Sequence, residues 1–242
     1  MKKYFNRLFL NDIRKAIDDF NMIKNGDIVL VGLSGGKDST LLLYALKLLR
    51  DYSHMDFKLI GVHIDYGWEM DFSSLIDFCE EENIDIHIEK TDIAEHLDFE
   101  NGKNVCSLCA RFRKGAMARV AKMYNATKIA YGHHMDDAVE TFLMNLIYTG
   151  KLGSFSPNNY DKDKRLHIIR PMIYVKEENI KKVVSIENLP EIKSNCPLNG
   201  FTTRQEIKEL VKFLEEEYKD IREKIIKSLS NVYEEGLWKK GE

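Results

Sequence analysis

The apolar segment Ile28-Val29-Leu30-Val31-Gly32-Leu33 runs straight into Ser34-Gly35-Gly36-Lys37-Asp38-Ser39, and then into Thr40–Leu49, which is nearly all Leu, Ala, Tyr and Lys. A short continuous apolar run reads as a buried strand, and the segment after the loop reads as a helix. Gly35 and Gly36 carry no Cβ, so their N–H groups can curl around an oxyanion. Ser34 and Ser39 add hydroxyl donors, and the helix start adds free N–H groups at the positive end of its dipole. A strand, loop and helix joined in this way form a phosphate cradle.

The common nucleotide loops do not match. G-x-x-x-x-G-K-S/T fails because Asp38 follows Lys37, and no G-x-G-x-x-G is present. The remaining Ser-Gly-Gly-Lys-Asp-Ser resembles the pyrophosphate loop of the PP-loop ATPases. Those enzymes split ATP into AMP and pyrophosphate to activate a carbonyl-type oxygen.

Around this loop, strand candidates alternate with helix candidates. The strands are Ile28–Leu33, Phe57–Ile64, Ile84–Ile88, Lys128–Tyr131 and Leu166–Arg170; the helices are Ser39–Arg50, Phe72–Glu82, Leu108–Tyr124, Asp136–Tyr148 and Glu177–Asn188. Such alternation predicts an α/β fold, a Rossmann-like parallel sheet with helices on both faces. Ligands in these sheets lie beyond the carboxyl ends of the strands, so the Ser-Gly-Gly loop, Asp65 and His133 should gather on one rim. Before the first strand, Asn6–Ile23 reads as an amphipathic helix with Phe9, Ile13, Ala16, Ile17 and Phe20 on one face. Gly150–Arg165 is polar and reads as an exposed loop or flap. From Thr202 to about Val232 the pattern is helical and strongly charged. The expected division is an N-terminal helical segment (1–24), a nucleotide-binding domain (25–200) and a C-terminal helical extension (201–242).

With 242 residues, 44% of them hydrophobic, the chain can bury a substantial core. No run approaches the roughly 18 apolar residues of a membrane helix. The basic start (Met1–Arg7) lacks a following apolar region, so a cytoplasmic location without membrane partners is the expectation. A net charge of −3 argues against a generally basic surface, although RNA binding needs only a local positive track.

The chain has four cysteines, too few for a disulfide scaffold at this length. Cys79 sits among Leu75, Ile76 and Phe78 and reads as an ordinary core thiol. Cys106-Ser107-Leu108-Cys109 is a C-x-x-C at a helix start, where the dipole favours thiolates. Alone it fits a redox pair, half a zinc site or two incidental thiols. Cys196, stiffened by Pro197, supplies a third thiol far along the chain. Three cysteines suit an iron–sulfur cluster with one iron free of protein; His133, His134 or an aspartate completing a zinc site is the other reading.

Tyr131-Gly132-His133-His134-Met135-Asp136-Asp137 follows a strand and opens a helix. Gly132 allows close approach of a nucleotide. One of the two carboxylates is expected to cap the helix, and we assign that role to Asp136, leaving Asp137 for Mg²⁺ or base chemistry.

Taken together, Ser34–Ser39, Cys106-x-x-Cys109, Gly132–Asp137 and Cys196 resemble the TtcA family of tRNA 2-thiocytidine synthetases, within the TtcA/TtuA group of PP-loop tRNA thiolases. The similarity extends through Cys106–Gly115 and Ile169-Arg170-Pro171-Met172, from about Asn25 to about Arg204. It implies a 4Fe-4S cluster on Cys106, Cys109 and Cys196, Mg²⁺ and ATP on the glycine loop, and a homodimer acting on tRNA. The implied nucleotide set is Leu33, Ser34, Gly35, Gly36, Lys37, Asp38, Ser39, His63, Asp65 and Gly132. Lys37, Arg113 and Asp137 are the implied catalytic residues. A cysteine desulfurase or sulfide would supply sulfur. Arg111, Lys114, Lys151, Lys164 and Arg165 are candidate RNA contacts. The second C-x-x-C usual in the family is absent, because Asn199 stands where its last cysteine would be. Sulfur transfer through a persulfide, a small-molecule substrate, and a nucleotide-binding protein with structural zinc are the alternative expectations.

Overall fold

The computed structural model describes residues 3–68, 70–97, 105–192, 196 and 203–238; Pro197 and Asn199 lie outside the described residues. The apolar run after Asp27 is strand β1 (Ile28–Leu33), and its parallel partners are β2 (Lys58–Asp65) and β4 (Lys128–Ala130). With β3 (Asp85–Lys90), β5 (Asn158–Asp161) and β6 (Leu166–Ile169), they build a sheet in the order β3-β2-β1-β4-β6-β5. The chain proceeds from β1 through β2 to β3 on one side and then crosses to β4 on the other, so the switch point lies between β1 and β4, where doubly wound sheets place a crevice at the carboxyl ends. The Ser-Gly-Gly loop leaves β1 at this point.

The two faces of β1 are read from its alternation. Leu30 packs with Met117, Val120 and Ala121 of α5 (Val105–Met123). On the same face, a Cβ on Gly32 would come within 2.7 Å of the Tyr131 ring. On the other face, a Cβ on Gly61 would come within 2.9 Å of Leu33 and 3.4 Å of Leu43, a residue of α3 (Lys37–Tyr52). Both faces are therefore covered by helices, which is why β1 is apolar throughout rather than alternating. Helix α3 is buried around most of its circumference from Ser39 to Leu49, as a helix apolar on all sides requires.

Helix ends share one device. Asn21, Asn83, Asn125 and Asn188 adopt left-handed φ just beyond α2 (Asn11–Asp19), α4 (Ser73–Glu81), α5 and α7 (Glu177–Glu187). Asparagine tolerates this conformation and so stops each helix.

Two expectations change. The predicted first helix is interrupted: α1 (Lys3–Phe5) passes through a π-helical turn, Asn6–Leu10, before α2. The wide turn adjusts the phase of the apolar face, so Phe9, Ile13, Ala16 and Ile17 are buried while Phe20 is only half-buried. The segment expected as an exposed flap contains β5, antiparallel to β6. Its Asn-Asn-Tyr-Asp sequence carries no alternation to announce a strand, because it is a short polar edge.

Contacts divide the chain into two compact units, residues 1–134 with 157–199, and residues 135–156 with 200–242. The sheet, the glycine loop and all four cysteines belong to the first. The second holds α6 (Met135–Thr149), α8 (Thr203–Glu217) and α9 (Ile221–Ser228) around Met135, Val139, Leu143, Ile207 and Val211. Asp220, with φ of 60°, separates α8 from α9, so the C-terminal helical run is broken. No helix among the described residues is long and apolar enough to cross a membrane.

Candidate active site

The glycine loop is shaped by its own serines. Ser39 Oγ donates to the Gly36 carbonyl (2.9 Å) and accepts from the Ser34 amide (3.1 Å). Ser34 Oγ accepts from the Gly36 amide at 3.3 Å. The single Ser39 proton is thus committed inside the loop, and buried Ser39 acts as a strut holding the turn open. The Gly36 carbonyl also accepts the amides of Ser39 (3.1 Å) and Thr40 (3.3 Å), which closes the first turn of α3. The amides of Lys37 and Asp38 are left at the open helix end, where they face the position of an anion.

Three neighbours brace this loop. Gly35 is left-handed (φ 85°), its carbonyl accepts the Ile192 amide at 2.7 Å, and a Cβ on it would stand 2.9 Å from Ile192 Cβ. Gly132, at the end of β4, lies against the backbone of α3: a Cβ there would stand 2.9 Å from the Asp38 carbonyl and 3.0 Å from the Ser39 amide nitrogen. The close approach that requires glycine at 132 is therefore one between protein backbones. His63, on β2, meets the Leu33 carbonyl through Nδ1 at 2.9 Å, which places its proton on Nδ1 and leaves Nε2 as an acceptor. Burial pushes the His63 pKa below its ordinary value, and the Leu33 carbonyl and Asp65 only partly oppose this.

Charge collects at the helix start. Lys37 Nζ lies 3.0 Å from Asp38 and 3.1 Å from Glu177, the first residue of α7. Partial burial works to lower the lysine pKa, but the two carboxylates outweigh it and the net direction is upward. His134 Nε2 stands 3.8 Å from Asp38. Asp65 closes a turn, accepting the Gly67 amide at 2.9 Å.

The cysteine helix begins on the same rim. Arg113 donates to the hydroxyl of Tyr66, the residue after β2, at 3.3 Å. Cys109 is held above the ordinary thiol pKa by burial, then by the nearby Cys196 and Cys106 thiols, with Arg113 opposing. Cys109 lies within electrostatic reach of both Cys106 and Cys196, although among the described residues no three His, Cys, Asp or Glu side chains already stand in metal-ligand geometry. Cys196 lies four positions beyond Ile192. Four residues span at most about 14 Å, so one short segment ties the glycine loop to the thiols.

Asp136 and Asp137 belong to the second unit. Asp136 lies inside the first turn of α6, not at its cap, and pairs with Arg222 at 3.0 Å. Asp137 pairs with Arg204 at 3.0 Å, which also approaches Glu140 at 3.6 Å. Of the expected RNA contacts, Arg111, Lys114, Lys164 and Arg165 are exposed on the first unit, whereas Lys151 belongs to the second. Sequence reasoning passed over Glu177, Tyr66 and Ile192. Each acts on a loop residue or cysteine-helix residue distant in the chain, and no local spacing signals such a contact.

A PP-loop domain model matches residues 8–212 of the chain. The tRNA-cytidine(32) 2-sulfurtransferase of Pelobacter propionicus is 38% identical over 226 residues, covering 91% of this chain and 84% of that protein. The protein of the same name from Paraburkholderia phytofirmans is 40% identical over 236 residues, 95% of this chain and 69% of that one. Among solved structures, the U34-tRNA thiolase NcsA from Methanococcus maripaludis, with its 4Fe-4S cluster, shares the fold: the TM-score is 0.74 at 24% identity, over 96% of this chain and 80% of that chain.

Proposed function

Because the chain belongs to the PP-loop family of tRNA-cytidine(32) 2-sulfurtransferases, we propose that it thiolates tRNA, replacing the C2 oxygen of a cytidine with sulfur at the expense of ATP. The observation that carries this reading is the join between the two halves of the site. Ile192 is anchored on Gly35, and Cys196, four positions later in the sequence, lies near Cys109. Arg113, on the same helix as Cys109, meets Tyr66 at the end of β2.

The chemistry has two steps. The carbonyl oxygen at C2 is a poor leaving group; its attack on the α-phosphorus of ATP expels pyrophosphate and converts it to a phosphate ester. Sulfur then bonds to C2, the C–O bond breaks, and AMP departs. With sulfide as the sulfur species this is a substitution without net oxidation or reduction. The Lys37 and Asp38 amides and the Lys37 ammonium stabilise charge that develops on the phosphates, an electrostatic contribution from preset donors. Asp38 is the carboxylate suited to Mg²⁺, since it stands at the helix start beside the anion position. Arg113 offsets negative charge on the adenylated base, and Asp137, paired with Arg204 in the second unit, stays the candidate base or metal contact that the family resemblance implies.

The donor set fits an iron–sulfur cluster: Cys109 has both Cys106 and Cys196 nearby, with the Arg113 cation beside it. Cys106, Cys109 and Cys196 would hold it, and its vacant iron would keep sulfide at high effective concentration beside the activated carbon. The target base must leave its stack to enter the pocket. A cysteine desulfurase or free sulfide as donor, and a homodimer as the working form, complete the proposal. Mass analysis of nucleosides from cells lacking the gene tests it. Loss of 2-thiocytidine is expected, and an unchanged nucleoside profile overturns the reading.

A further inference from the structure

Charge is segregated on the first unit. A cleft of about 500 Å³ carries Asp77, Glu81, Glu82 and Glu187. A second, of about 510 Å³, lies between the end of α5 and the β5–β6 turn and carries Lys122, Lys164 and Arg165 against a single acid, Asp163. Its floor is made of small residues, Ala118 among them, and no aromatic side chain lines it. A protein partner is anchored by aromatic and large apolar groups, and this groove offers no aromatic and one large apolar residue, the buried Leu166. It offers cations above a surface that a polyanion can approach closely.

The turn holding two of these cations has an unusual backbone. Asp161 accepts the Lys164 amide at 3.2 Å and the Lys164 ammonium at 3.3 Å, which tightens it. Arg165 then adopts a left-handed φ of 53°. Among the described residues, the other non-glycine residues with positive φ are asparagines and one aspartate, which tolerate it. An arginine there accepts backbone strain that glycine or asparagine would avoid, and strain retained in this way points to a use for the side chain.

Exposed cations continue along α5 beyond the groove. At about 100° per residue, Arg111 and Lys122 project within about 20° of each other, with Lys114 about 60° to one side; the rise between the first two is about 16 Å. Lys114 reaches Asp161 at 3.7 Å, so the helix and the hairpin present one surface. This stripe starts about 3 Å along the axis from Cys109, on nearly the opposite side of the helix, and ends in the groove.

We propose that the stripe Arg111–Lys114–Lys122 and the hairpin cations Lys164 and Arg165 form the track on which the phosphate backbone of the tRNA rests while a base reaches the cysteine end of α5. The proposal rests on the thiolation reading. The test uses the full-length, cluster-loaded protein and an unmodified tRNA transcript, with affinity measured by anisotropy across a potassium chloride series. The triple variant Lys122→Gln, Lys164→Gln, Arg165→Gln is expected to weaken binding at least tenfold. Each lost phosphate contact should also lower the slope of log affinity against log salt by roughly 0.7–0.9. Thiolation should recover at high tRNA, so KM rises with kcat kept, while ATP affinity is unchanged. Arg165→Gly separates fold from function: it relieves the backbone and raises stability, yet still weakens tRNA binding. Wild-type affinity and salt slope in both variants would overturn the track and leave thiolation standing. Failure of the unaltered protein to bind or thiolate tRNA would remove the track together with the reading beneath it.

Discussion

Gly132→Ala isolates the buttress behind the glycine loop. Gly132 does not have positive φ, so the substitution is not penalised by backbone conformation. Its added methyl would stand 2.9 Å from the carbonyl carbon and oxygen of Asp38 and 3.0 Å from the Ser39 nitrogen, where ordinary contact begins at 3.4 Å. All three atoms are backbone, so relief requires the first turn of α3 to shift. Overpacking of this kind costs about 1–3 kcal/mol. The shift moves the Lys37 and Asp38 amides, so nucleotide affinity should fall with stability. Gly115→Ala supplies the opposite sign: nothing lies within 4 Å of that methyl, and replacing a helix-interior glycine should add about 0.5–1 kcal/mol. Urea unfolding followed by circular dichroism gives the stabilities, and equilibrium titration with ATP gives the affinities. A Gly132→Ala protein with wild-type unfolding midpoint and wild-type ATP affinity would refute the assignment of the β4 end as a brace.

Glu177→Gln removes a carboxylate 3.1 Å from Lys37, which competes with phosphate for the ammonium; ATP should bind severalfold more tightly by titration, and weaker binding would show that Glu177 orients the lysine instead. Because burial lowers the His63 pKa, the unfolded chain binds its proton first as pH falls below 6.5. His63 therefore favours the folded state above that pH, and its contribution is lost as pH drops toward the folded-state value, with a slope of at most about 1.4 kcal/mol per unit. Unfolding measured between pH 5 and 8 (roughly the histidine range) should show this slope and should flatten in His63→Leu. Cys79, fully buried with its pKa pushed up to about 11, should resist alkylation in the native protein, while exposed Cys106 reacts in the cluster-free protein; mass mapping after iodoacetamide treatment at pH about 8 distinguishes them.

The sheet was legible because its central strands are apolar runs and its helices have long apolar faces: β1, α3 and α5 follow directly from Ile28–Leu33, the leucines of 41–49 and the alternation after Cys109. β5 was not, since a polar edge strand carries no burial pattern. At the site, motif residues identified the loop and the thiols, but not the work each side chain does. Ser39, expected as a ligand donor, also braces the loop from within, and Gly132, expected beside a nucleotide, also lies against Asp38. Partnerships such as Glu177 with Lys37, or Arg204 with Asp137, join residues far apart in the chain and exist only once the helices have packed.

A single-turnover reaction of the cluster-loaded protein with ATP and tRNA, quenched and quantified for pyrophosphate, AMP and 2-thiocytidine, addresses the central claim most directly. Equal yields of the three products are expected from the wild-type protein. Loss of 2-thiocytidine, with ATP still bound, is expected in Cys196→Ser. Orthophosphate in place of pyrophosphate, or full thiolation by Cys196→Ser, would contradict that claim.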